Sequence, residues 1–254
     1  MTQRWKLTIE YDGTPFVGWQ RQENDPSVQG AIEKAIRDFC GETVTLHVAG
    51  RTDAGVHAVG QVAHADIEKT ADEKTMRDAI NAHLRPLPVA VVSAEPVDDA
   101  FHARFGATRR VYCYKILSGR MPAPAIEHER VWHVSRDLDA AAMHRAAQYL
   151  LGNHDFSSFR AAACQAKSPV RTLDCCDVIE TKDNLSAGQH IEIWAEAKSF
   201  LHHQIRNIAG ALRMVGEGKW EQEEVKRVLE ARDRTKNTAA MAPAHGLYFV
   251  RVDY

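Results

Sequence analysis

The 254-residue sequence is short of cysteine, of long apolar runs and of net charge, and each shortage removes a class of protein. Its five cysteines (Cys40, Cys113, Cys164, Cys175, Cys176) are odd in number and never stand in C-x-x-C spacing. Neither a disulfide framework nor a four-cysteine zinc site is therefore expected. The thirteen histidines contain no H-E-x-x-H, and His202 and His203, neighbours on an expected helix, point about 100° apart. They read as core or solvated histidines, and no metal is expected. No stretch approaches membrane-spanning length, and Met1–Trp5 carries no apolar signal region. The expectation is a cytoplasmic protein with no membrane partner. A formal charge of −2 excludes a uniformly basic nucleic-acid binder and leaves room only for a local basic cleft. The glycine-rich loop from Tyr11 to Gln22, with exposed-looking aromatics, lacks the G-x-G-x-x-G and P-loop spacings, so a nucleotide-phosphate cradle is poorly supported.

What is present is a rhythm. Trp5, Leu7, Ile9 and Tyr11 alternate with polar residues as in a half-buried strand. Asp25-Pro26-Ser27 then opens a helix with Val28, Ala31, Ile32, Ala35, Ile36 and Phe39 on one face, ending near Gly41. Two alternating runs follow, 43–48 and 61–67. Thr70-x-x-Glu73 has capping-box spacing before a helix bearing Met76, Ile80 and Leu84, and Val89–Val92 begins another strand. The order β-α-β-β-α-β is a split unit that forms an antiparallel sheet with helices on one face. The second half has strands at 110–117, 131–134, 170–180, 189–199 and 247–250, and helices at 138–151, 201–216 and 221–231. Two such halves predict an α+β fold of pseudo-twofold architecture, with helices on one side of a central sheet and a cleft between the halves. Residues 1–105 form the first half and 106–254 the second.

Between the two runs lies Gly50-Arg51-Thr52-Asp53-Ala54-Gly55-Val56-His57-Ala58. An Asp there projects from a loop held by rigid elements, where reacting groups are often mounted. Asp before Ala-Gly also suits a turn for its own sake, and on this feature alone both readings stand. Arg51 would pair with Asp53 or contact a substrate phosphate. Tyr112 and Tyr114 share one face of their strand with Arg110, an arrangement suited to stacking on a base with phosphate held nearby; packing in a sheet core explains the same pattern. On helix 201–216, His202, Arg206 and Arg213 fall in one sector beside the apolar stripe, a sector containing no acid. It reads as the rim of a cleft or as a solvated face. Phe101–Phe105 and Asp155–Arg160 add aromatic-basic pairs in expected loops. A histidine-metal hydrolase using His57, His64 and His202 is the rival chemistry.

Together these segments resemble the tRNA pseudouridine synthase A family. The resemblance runs over nearly the whole chain: Tyr11–Thr14, Gly18–Gln20, Ser27–Gly30, Gly50–Ala58, Phe101–Arg104, Phe200–Asn207 and Ala242–Leu247. It implies isomerisation of uridine to pseudouridine at positions 38 to 40 in the anticodon arm of tRNA, an α+β fold, a homodimer, and no cofactor or required metal. Asp53 matches the family's catalytic aspartate and Tyr112 its base-stacking tyrosine. Arg206 matches the arginine that pairs with the aspartate, Arg51 a residue placed for the flipped nucleotide's phosphate, and Leu247 an apolar wall of the base pocket. His202 joins them as a substrate-binding candidate. Val111 departs from the family, whose members often carry a basic or aromatic residue there.

Overall fold

Alternation in the first strand is realised as burial. In the computed structural model, which describes residues 2–23, 25–181 and 187–254, β1 (Gln3–Tyr11) buries Trp5, Leu7, Ile9 and Tyr11. The described residues form ten strands and five α-helices, an α+β fold. The chain divides into two compact units, one running to Arg110 and including Tyr248–Tyr254, the other Val111–Leu247.

In the first unit the sheet order is β4 (Val89–Val97), β1, β3 (His57–Ile67), β10 (Leu247–Asp253), with β2 (His47–Val48) also paired to β3. Contacts are antiparallel except that β10 runs parallel to β3. The alternating run 43–48 contributes only two residues of strand, although Val44, Leu46 and Val48 are buried as its pattern predicts. Helix α1 (Val28–Cys40) begins where Ser27 Oγ accepts from the Gly30 N–H and stops at Gly41, whose φ of 80° ends a helix without steric cost. Helix α2 (Glu73–Leu84) is capped by Asp72, which accepts from the Thr75 N–H, so Thr70 is not the cap. The buried faces of these helices, with Ile32, Ile36, Met76 and Ile80 fully enclosed, complete the core.

The second unit's sheet runs β5 (Arg109–Ser118), β9 (Gln189–Ala197), β8 (Val170–Thr181), β7 (Gly152–Asp155), with β6 (Trp132–Val134) parallel to β5. Strand β7, unanticipated from sequence, pairs antiparallel with β8 inside what reads as a loop. Helix α3 spans only Ala140–Ala147 and tightens into a 3-10 turn before Gly152, where φ is 92°. Helices α4 (Gln204–Gly216) and α5 (Gln222–Ala231) follow. Helix α4 starts three residues later than its apolar stripe suggests, because His203 adopts a left-handed conformation, φ 62°. His202 and His203 therefore lie on the turn before the helix.

Candidate active site

The Asp53 turn is fixed from several directions. The segment after β1 folds back on it: Gly18 bridges Asp53, and the Trp19 N–H donates to Thr52 O at 3.0 Å. The Tyr11 hydroxyl and Thr52 Oγ1 are 2.7 Å apart, and the Asp53 carbonyl accepts from the Val56 N–H at 3.1 Å. Two glycines permit this approach. A Cβ on Gly13 would sit 2.1 Å from Val56 O, and one on Gly18 would sit 2.8 Å from Thr52 O. The neighbouring backbone is held too. Gln61 Nε2 donates to Gly50 O at 2.7 Å, and the Arg110 guanidinium donates to Ala49 O at 2.7 and 3.1 Å and to Arg104 O at 2.9 Å. Phe16 and Trp19 are buried against this framework rather than exposed. Burial pushes the Tyr11 hydroxyl up to about 12, despite hydrogen bonds to Thr52 and Gln61, so it stays protonated.

Asp53 is half-buried at the tip of this turn, with Arg51 exposed two residues before it. Among the described residues the Arg51 guanidinium has no hydrogen-bond or ion-pair partner, so the pairing of Arg51 with Asp53 weighed from spacing does not occur. His57 accepts from the Gly13 N–H through Nδ1 and lies 3.2 Å from Asp12, and His64 accepts from the Ala103 N–H through Nδ1 at 3.2 Å. In both, the Nδ1 atom is occupied by a backbone contact that holds the fold.

Arg109 and Arg110 do not flank an open aromatic surface. Arg109 pairs with Asp253 at 2.7 Å, and Arg110 is buried on backbone carbonyls. Both are committed to stabilising the first unit.

In the second unit, β5 carries Tyr112 and Tyr114 in a buried environment. Phe200 meets Tyr112 edge-on, centroids 5.2 Å apart at 84°. The Tyr114 hydroxyl donates to Pro243 O at 2.8 Å, and its ring lies against Gly246, where a Cβ would come within 2.7 Å of Cζ. Arg206, half-buried on the first turn of α4, donates through Nε to Ala242 O at 2.8 Å, while Ala242 N donates to Arg206 O at 3.1 Å. Segment 242–247 is thus strapped both to α4 and to Tyr114, and it delivers Leu247, 7% exposed, to the start of β10. Burial raises the Tyr114 hydroxyl well above its usual range, an effect only partly offset by the Arg206 charge. Sequence spacing does not reveal this strap, although Pro243 and Gly246 bracket it.

Arg213 leaves the basic sector. Its guanidinium pairs with Glu217 at 2.6 Å and lies 5.2 Å from the Trp132 ring centroid. The acid stands four residues on, just beyond the helix window. His202 is exposed and its ring contacts His203, centroids 3.8 Å apart. Of the expected helical sector, Arg206 is the member that keeps its place on α4 beside the strap.

The chemistry available is a carboxylate on a rigid mount in one unit, and an arginine, a buried aromatic and an apolar side chain on one strapped framework in the other. Residues 7–106 and 146–254 match the family model described as tRNA pseudouridine synthase. Asp53, Arg206 and Leu247 lie in the matched stretches; Tyr112 falls between them. The chain is 55% identical over 251 residues to tRNA pseudouridine synthase A of Paramagnetospirillum magneticum, covering 99% of this chain and 95% of that protein. Against the protein of the same name from Rhodospirillum centenum the identity is 56% over 252 residues, with 99% and 100% covered. For that of Xanthobacter autotrophicus it is 53% over 251 residues, with 99% of each covered. On these matches, end to end and above half identity, the chain belongs to the tRNA pseudouridine synthase family of isomerases.

Proposed function

We propose that this protein isomerises uridine to pseudouridine at positions 38–40 in the anticodon arm of tRNA, with Asp53 as the nucleophile acting on a flipped-out uridine. The observation that carries the reading is the Asp53 turn. Its backbone is immobilised by hydrogen bonds from the β1 loop, Gln61 and Arg110, and Asp53 is only half-buried at its tip. A reacting group held in a fixed geometry avoids the entropic cost of being positioned during the reaction.

The C1′–N1 bond of uridine breaks, the uracil rotates, a new bond forms from C1′ to C5, the C5 proton leaves and N1 takes one up, so substrate and product are isomers. No redox change occurs, so no electron carrier is called for. Asp53 attacks the nucleotide through its carboxylate and is released again before the product leaves, and Arg206 is the proposed cationic partner of that carboxylate. Taking the base out of the helix costs stacking, which Tyr112 replaces at roughly 1–3 kcal/mol. Arg51, exposed and without a partner among the described residues, contacts the flipped nucleotide's phosphate; Leu247 lines the base pocket and His202 contacts the RNA. We further propose a homodimer working in the cytoplasm, so that two copies grip one folded RNA although each chain carries a net charge of only −2.

The test is tritium release from tRNA labelled with [5-³H]uridine, compared for the unmodified protein and Asp53→Asn, which keeps the side-chain shape. Release by the former and its loss in the latter are expected. Equal release by both removes Asp53 from the mechanism, and no release by the unmodified protein removes the activity. Mapping pseudouridine in the product tRNA checks the positions, and light scattering checks the dimer.

A further inference from the structure

We infer that the second unit carries a phosphate-binding pocket for the RNA backbone, built from Arg160, Arg232 and Arg234. The pocket has a volume of about 320 Å³ and is lined by these arginines with Ser157, Ala161 and Asp233 among others. That is room for a phosphodiester group with its water, given roughly 30 Å³ per water molecule.

Three observations set it apart from an ordinary solvated face. First, among the described residues none of the three guanidiniums has a hydrogen-bond or ion-pair partner, whereas other arginines of the second unit are paired, such as Arg213 with Glu217 and Arg227 with Glu224. Second, the one acid in the lining is already engaged. Asp233 accepts from Thr235 N and Oγ1, both at 2.9 Å, and the Thr235 N–H holds its carboxyl below the usual range. Three arginines against one capped aspartate leave a surplus of positive charge facing one cavity. Third, the walls are rigid. Ser158 Oγ accepts from the Asp233 N–H at 3.0 Å, Asn237 Nδ2 donates to Ser158 O, and Phe156 and Phe159 behind them are fully buried.

Arg232 also adopts a left-handed conformation, φ 50°, at the C-terminus of α5. Glycine is the ordinary occupant of such a position. A helix C-terminus favours one cation through its dipole, which accounts for Arg232 but not for Arg160 or Arg234. A planar guanidinium fork matches phosphate geometry, and several converging on one cavity suit a single anionic group.

The choice of an RNA phosphodiester as ligand rests on the family reading above. The test is equilibrium binding of full-length tRNA across about 50–300 mM salt to the unmodified protein, to Arg160→Gln combined with Arg234→Gln, and to Arg232→Gly, which removes a charge while easing the backbone. Thermal melting first establishes that each variant is folded. The expected result is a roughly tenfold weaker tRNA affinity for the double variant, with the slope of log K against log salt reduced by about one for every phosphate it no longer neutralises. Unchanged affinity and slope overturn the site. Inorganic phosphate is run as a second arm: if the variants lose only its binding and keep that of tRNA, the pocket takes free anions and the RNA proposal fails. Tritium release by the unmodified protein is measured alongside. Release with an unaltered salt slope refutes the pocket alone, and an altered slope without release retains the RNA contact while the isomerase reading falls.

Discussion

His64 predicts how the first unit fails in acid. It lies on β3, 2% exposed, stacked at 5.0 Å on His47 and edge-on at 4.7 Å to His102, with its Nδ1 accepting from the Ala103 N–H. Burial, then the charges of His102, His47 and Arg4, lower its pKa to about 4 from 6.5, against a smaller opposing pull from Asp66. The folded protein thus takes up this proton far less readily than the unfolded chain. Stability is fully present above pH 6.5 and is lost as pH falls from 6.5 toward 4. A depression of about 2.5 units at 1.36 kcal/mol each gives a ceiling of about 3 kcal/mol, a large share of the 5–15 kcal/mol typical of a folded domain. His102, whose pKa is also lowered, first by burial, acts in the same direction. Urea unfolding followed between pH 7.5 and 4.5 reads this loss. His64→Asn retains an acceptor for Ala103 N but cannot titrate. It is expected to be less stable at neutral pH and to show a flatter pH dependence, the two curves converging in acid. Parallel curves, or a His64 ring that titrates near 6.5 by NMR, would refute the reasoning.

Two further substitutions probe how the Asp53 turn is held. Gly13→Ala drives a methyl to within 2.1 Å of the Val56 carbonyl oxygen, which is backbone and cannot rotate away. It should cost about 1–3 kcal/mol and, by displacing the turn, lower tritium release about a hundredfold; denaturant unfolding and the release assay check both, and an unaffected rate would mean that the turn tolerates displacement. Arg110→Met strands the carbonyls of Ala49 and Arg104, which its guanidinium now serves, for a stability loss of about 2–3 kcal/mol in urea unfolding. Arg110→Lys should recover little of it, because an ammonium cannot reproduce the forked donors.

The sequence by itself determined most of the element order, because burial on one face imposes a period of two or 3.6 that is written in the side chains. Ser27 and Gly41 marked the ends of α1 for local reasons, a cap hydroxyl and a residue free to take positive φ. The segment Gly50–Ala58 was legible as a turn carrying Asp53, though spacing could not say whether it was a mount or only a bend. Family resemblance, not periodicity, favoured the first. The tertiary structure decided what depends on distant partners. It joined β10 in parallel to β3, made a strand of Gly152–Asp155 by pairing it with β8, and cut α4 short at His203 through one left-handed backbone angle. It gave Arg110 to backbone carbonyls and Arg213 to Glu217, removing two candidates that looked available among the basic residues. It also left Arg51 and the three pocket arginines without partners among the described residues. Local spacing fixes what a residue is near in the chain, but whether its charge is already satisfied depends on groups that only folding brings within about 3 Å.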